Sequence, residues 1–226
     1  KIAALCPITG DLMRYGTLAD IANETFALMG KSIVDKKNHL IMTADGTADT
    51  TDGSITGLIS ALDAVSGNAS VISVPGSWAD LESNVEYLYL AMATVADWAN
   101  QDRMAWYCNK RMWAYLEKIA RSAGGTSYMQ MVGQKPVPYL FGYPVKFVSQ
   151  MPSSHTVGAT GLIFGDLSGA VAVASVGNVE TELSREFYFD QDAVCLRAIS
   201  PFGVSVYQPG TSGAATSVVA LSFDAS

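Results

Sequence analysis

Charge is scarce in this chain. Only 15% of its 226 residues are Asp, Glu, Lys or Arg, and they leave a net charge of −7. Gripping a phosphate backbone needs a basic footprint that displaces counterions, so direct nucleic-acid binding is disfavoured. Histidine is rarer still, with only His39 and His155. A Ser-His-Asp triad would have to use one of these two, in a chain so rich in Ser and Asp that such pairings arise by chance. The three cysteines, Cys6, Cys108 and Cys195, are odd in number and far apart, with no CxxC or Cys/His spacing, which predicts a reducing compartment. No apolar run approaches the roughly 18 residues that would span a membrane, and the start carries no signal-peptide pattern. GxGxxG, GxxxxGK[ST], HExxH and GxSxG are all missing, and with them the strong nucleotide, zinc and hydrolase signals. The residues therefore assign no catalytic, cofactor-binding or metal-ligating side chain.

Apolar content is plentiful at 49%, enough for one large or two small domains with real cores. The longest feature is Thr17 to Met42. Leu18, Ile21, Ala22, Thr25, Met29 and Ile33 recur at steps of three and four and make one stripe along a helix. Thr17 with Asp20 resembles a capping-box start, and Lys31, Lys36, Lys37 and His39 place positive charge towards the negative end of the dipole. About 22 residues at 1.5 Å each give a rod of roughly 33 Å, long enough to join two lobes. A core helix of an ordinary enzyme would show the same periodicity.

Around that rod the coarse reading is mixed α+β. Lys1 to Ile8, with Pro7 near its end, reads as a strand. Asp45 to Gly57 reads as an exposed connection; Asp45, Asp49 and Asp52 invite calcium but lack the alternate-position spacing of an EF-hand loop. Ser77 and Asp80 open a second helix, with Leu81, Val85, Leu88, Tyr89, Met92, Val95 and Ala96 on one face and an end at Asn100 to Arg103. Met104 to Cys108 reads as a strand. Asn109 caps a third helix with Met112, Trp113, Leu116, Ile119 and Ala120 as its stripe, stopped by Gly124-Gly125. Short β segments divided by Gly and Pro are then expected, with Tyr139–Val148, Gly161–Phe164, Val171–Ser175, Val179–Leu183 and Ala193–Tyr207 as the candidates. The small-residue tail Gly210–Ser226 is expected to be partly mobile unless docked.

Two patterns invite a sharper chemistry. Glu180/Glu182 and Asp190/Asp192 invite an acid/base reading, but their spacing is that of a wet strand or loop face. Trp78, Tyr87, Tyr89, Trp98, Trp106, Tyr107, Trp113 and Tyr115 are numerous enough for a sugar- or base-stacking platform. Helical spacing favours core packing, with some rings at subunit contacts.

The order of the pieces resembles the major capsid proteins of tailed bacteriophages, the Hong Kong 97-like fold, over most of the chain. KIAALCPITGDL (1–12) is similar to the family's strand and turn before its spine helix. Asp45-Gly46-Thr47 with Gly53-Ser54-Ile55 is similar to the loop that closes it. AWYCN (105–109), LFGYPV (140–145) with Met151-Pro152, and Phe164-Gly165-Asp166 resemble three further family motifs. The resemblance implies a structural subunit without catalysis, made of a peripheral (P) and an axial (A) domain. P-domain pieces are expected at 1–53, containing the spine helix 17–42, and at 179–202. The A domain is expected at 54–178, with 203–226 as a last strand and tail back on it. Lys1 would lie in the return strand of the E-loop, so the N-terminal arm and most of that loop are absent, as in a trimmed product. Some relatives join subunits by a Lys–Asn isopeptide bond. The matching Phe189-Asp190-Gln191-Asp192 offers no Asn, so no such crosslink is expected.

The implied partners are further copies in pentamers and hexamers of an icosahedral shell around double-stranded DNA held non-specifically. A portal, scaffold or maturation protease is also implied, with assembly in the host cytoplasm, location in the virion capsid, and no membrane or cofactor. An encapsulin-like compartment is the alternative within the fold, and a cytosolic α+β enzyme the alternative outside it.

Overall fold

The computed structural model describes residues 1–9, 11–12, 18–47, 52–75, 85–122, 129–132, 135–153, 158–175 and 177–224. Its helices are α1 (Leu18–Met42), α2 (Leu58–Asp63), α3 (Glu86–Thr94) and α4 (Lys110–Ser122). Its strands are β1 (Ile2–Thr9), β2 (Val71–Pro75), β3 (Ala105–Cys108), β4 (Met129–Val132), β5 (Lys135–Leu140), β6 (Tyr143–Phe147), β7 (Thr160–Gly165), β8 (Val171–Ser175), β9 (Glu180–Tyr188), β10 (Ala193–Ser200), β11 (Phe202–Val206) and β12 (Val218–Asp224). The chain forms two compact units, one of Lys1–Leu40 with Val173–Val204, the other of Ile41–Ala172 with Ser205–Ser226.

In the first unit β1, β10 and β9 form an antiparallel sheet in that order. Pro7 is tolerated because β1 is an edge strand, where a missing N–H need not break a ladder. Burial alternates along β1, and the inward set Ile2, Ala4, Cys6 and Ile8 packs with Met29 and Ile33 of α1 and Leu196 and Ala198 of β10. Met29 and Ile33 are the centre of the predicted stripe; Thr17 and the side chains of Leu18, Ile21 and Ala22 lie outside the described residues. Elsewhere on α1, Leu28 and Val34 are 62% and 55% exposed. Near its end the Lys37 ammonium sits 5.3 Å from the Phe202 ring centroid. The expected strand over Ala193–Tyr207 is two strands, β10 and β11, divided at Pro201, which has no amide to donate. β11 pairs with β8 in a two-stranded sheet.

The second unit holds a seven-stranded mixed sheet in the order β2-β12-β7-β3-β6-β5-β4. Every residue of β3 is buried, as a near-continuous apolar run requires of an interior strand. Leu88 and Ala91 of α3, and Met112, Trp113 and Leu116 of α4, join Trp106, Phe164, Leu221 and Phe223 of the sheet in one core. The β region expected over Tyr139–Val148 is a hairpin. Phe141 and Gly142 take φ of 51° and 86°, the two left-handed positions of a two-residue turn, and reverse β5 into β6. The second helix ends at Thr94 rather than near Asn100, because Val95 leaves helical geometry at ψ 136°; the expected start at Ser77, Asp80 and Leu81 lies outside the described residues. Gly124-Gly125 lies outside them as well.

The tail is docked. β12 lies inside the sheet, parallel to β2 and antiparallel to β7, and Val218–Leu221 are fully buried. The small residues before it allow close approach: a Cβ on Gly210 would lie 2.6 Å from Asn68 Oδ1.

The first division between the units falls at 40/41, earlier than the expected 53/54. The helix end belongs with the loop that follows it: the Gly57 N–H donates to the Ala44 carbonyl at 2.8 Å, Asp45 bridges Thr56, and Met42 and Ala44 are buried.

Candidate assembly surfaces and the motif framework

Residues that stood apart as sequence motifs meet in the second unit. The Trp106 Nε1–H of β3 donates to the Leu140 carbonyl of the β5–β6 hairpin at 3.2 Å. The Phe164 ring of β7 lies 4.5 Å from the Trp106 ring and 5.0 Å edge-on to Tyr143. Asn109 is the expected cap of α4, its Oδ1 accepting from the Arg111 N–H at 3.0 Å. Its Nδ2 also donates to the Ser149 and Met151 carbonyls, fixing the segment before Pro152. Gly165 has φ +134°, and a Cβ there would lie 2.1 Å from the Ser217 carbonyl oxygen, so only glycine lets β7 come this close to the start of β12. Asp166 accepts from the Ser168 N–H and hydroxyl and so closes the 3-10 turn Leu167–Gly169. The motifs are framework pieces, each fixing a turn or a close approach.

The residues examined for chemistry are dispersed. His39 is half-buried near the end of α1, and His155 lies outside the described residues. Asp45 and Asp52 turn inward on their own loop. The Asp45 N–H donates to Asp52 Oδ2 at 3.2 Å, and Asp45 Oδ1 accepts from the Thr47 N–H at 2.8 Å. Those Thr47 bonds hold the Asp45 carboxyl below its ordinary pKa. Asp49 lies outside the described residues. Glu180 and Glu182 are exposed on the edge strand β9, where Glu182 pairs with Arg197 at 3.8 Å, an exposed contact of small worth. Asp190 and Asp192 flank Gln191 at the 3-10 turn between β9 and β10. Cys6, Cys108 and Cys195 are free thiols, and burial pushes Cys108 up to about 12. Tyr107 is raised by burial and by the Asp166 charge. Among the described residues no three His, Cys, Asp or Glu gather as a metal would need, and no helix is long and apolar enough to cross a membrane.

Exposed apolar surface is the more informative feature. On the first unit Leu5 and Leu183, 57% and 56% exposed, lie with Ala3, Ser184, Glu182 and Arg197 about a groove of about 720 Å³. On the second unit a smaller cleft of about 340 Å³ is bounded by Trp98, Tyr207 and the segment Gln208–Thr211. Of the aromatic residues singled out in the sequence, Trp106, Tyr107 and Trp113 are buried, Trp98 and Tyr89 stand exposed, and Trp78 lies outside the described residues. Sequence pattern did not single out Tyr207, because one aromatic residue at the end of a strand carries no periodic signal.

Comparison with known proteins follows the same direction. No curated protein matches the chain by sequence. The capsid of an empty GTA particle, solved with C5 symmetry, shares the fold with a TM-score of 0.66 at 16% identity, over 99% of this chain and 72% of that one. A Gordonia phage Cozz structure gives 0.65 at 15% identity, over 100% and 70%. A holo-SrpI encapsulin complex from Synechococcus elongatus PCC 7942 gives 0.62 at 10% identity, over 98% and 72%. The mixed helix-and-sheet architecture is thus similar to that of these capsid and encapsulin structures. A sequence model of the phage capsid family matches residues 1–211, and the chain accordingly belongs to the phage capsid family, as a major capsid protein.

Proposed function

We propose that this chain is the repeating subunit of a tailed-phage or prophage head, assembling into pentamers and hexamers of an icosahedral shell around double-stranded DNA. The match of the phage capsid family model to residues 1–211 carries this reading. In Hong Kong 97-like terms, the unit with α1 and the β1-β10-β9 sheet is the P domain, α1 is the spine helix, and the unit with the seven-stranded sheet is the A domain. Net charge supports the proposed job. A subunit at −7 does not grip a polyanion, so packaged DNA stays non-specifically held and free to leave. Many modest heterologous contacts closed into rings give a stable container without any one large interface. A portal, and a scaffold or maturation protease, are the further partners of such a head. Assembly takes place in the host cytoplasm.

Electron microscopy of the protein expressed alone tests this. Shells, or rings of five or six subunits, are expected. A protein that stays monomeric across the micromolar range, or shells that form only around a co-expressed cargo enzyme, would refute the phage reading.

A further inference from the structure

The cleft on the seven-stranded unit has features that the framework does not use. Trp98 is 58% exposed and Tyr207 51% exposed. Both rings are held in place. A Cβ on Gly169 would lie 3.1 Å from the Trp98 ring, so the indole rests on bare backbone, and the Tyr207 hydroxyl donates to the Ser168 carbonyl at 2.9 Å. Fixed aromatic side chains presented to solvent are the residues that carry binding energy when a partner covers them.

Charge selects the occupant. The lining carries no Asp, Glu, Lys or Arg. The groove on the other unit, by contrast, has Glu182 and Arg197. Identical copies at −7 repel, so contact between them is cheapest where carboxylates are missing. A concave cleft cannot mate with itself, so its partner surface is a different patch on the next copy, the arrangement that closes into rings. Resting on the shell reading above, we infer that the Trp98–Tyr207 cleft is a contact site for a second copy of this chain within a ring of subunits.

Hydroxyl-radical footprinting read by mass spectrometry tests this on the unaltered protein. Trp98 and Tyr207 are expected to be protected in assembled particles and reactive in dissociated subunits. Trp98→Glu, checked for native circular dichroism, is expected to raise the concentration needed for assembly by about 30-fold or more, the effect of losing one interface anchor. If the wild type never assembles, the shell reading fails and takes this inference with it. If the wild type assembles while Trp98 stays equally reactive, the inference alone is overturned, whether or not the variant folds. It is also overturned if a neutral sugar such as maltose protects Trp98 in the subunit and assembly does not, which would give the cleft to a carbohydrate.

Discussion

One chemical change, Gly to Ala, should have opposite effects at two positions. At Gly165 the backbone sits at φ +134°, and the added methyl would meet the Ser217 carbonyl oxygen at 2.1 Å, the Val218 Cα at 2.9 Å and the Ser217 carbonyl carbon at 3.0 Å. All three atoms are backbone, so no side chain can swing away. Forcing an L-residue into that conformation costs about 1–3 kcal/mol, and prying β12 from β7 costs a further ~1–3 kcal/mol. The sum, about 4 kcal/mol, is a large part of a stability of about 5–15 kcal/mol, and should lower Tm by about 8–16 °C in a chain of this size. Gly30, inside α1, has nothing within 4 Å of its would-be Cβ. Gly30→Ala gains helix propensity at no steric cost, about 1 kcal/mol, and should raise Tm by about 2–4 °C. Thermal melts at 222 nm, with urea titration as a second probe, read both. If Gly165→Ala melts within about a degree of the wild type, the β7–β12 approach is not as tight as described, and the account of the Phe164-Gly165-Asp166 motif fails.

Asn109 makes one capping and two donating contacts, so Asn109→Ala should cost about 2–4 kcal/mol in urea unfolding; Asn109→Asp, which keeps only the cap, should lose about half as much. Trp106→Phe keeps an aromatic ring beside Phe164 but leaves the buried Leu140 carbonyl without its donor, a loss of about 1–3 kcal/mol on the same titration. Stability should fall in alkali. The folded state holds the Cys108 proton to about 12 against 9.0 for the free thiol, so within that window the native chain binds more protons than the unfolded one. Stability then declines with rising pH by about 1.4 kcal/mol per unit. The raised Tyr107 adds to the same limb, and Cys108→Ala should flatten it in denaturant melts between pH 8 and 11.

What the sequence made legible was whatever carried a local rule. The 3.6-residue stripe through Met29 and Ile33, the apolar run of β3 and the Asn109 cap each follow from residues within a few positions of one another. The β5–β6 reversal was hidden because Phe141 occupies a left-handed position usually given to Asn or Gly, and its ring is held by Tyr89 at 4.5 Å, a contact between residues far apart in the chain. The docking of the tail likewise depends on contacts between residues far apart in the chain. Gly, Ala, Ser and Thr at 210–217 read as loose, yet they let the chain pass close to Asn68 and Ser70, and Val218–Phe223 held the strand signal within them. The Trp98–Tyr207 cleft was illegible because its walls are distant in sequence.

The position of β12 sets a schedule for biosynthesis. The strand translated last among those described slots between two made much earlier, so β2 and β7 wait with open edges until Val218–Asp224 has left the ribosome. A nascent subunit therefore lacks a finished sheet to offer its neighbours. Any message truncated before Val218 would yield a chain whose exposed edges invite clumping.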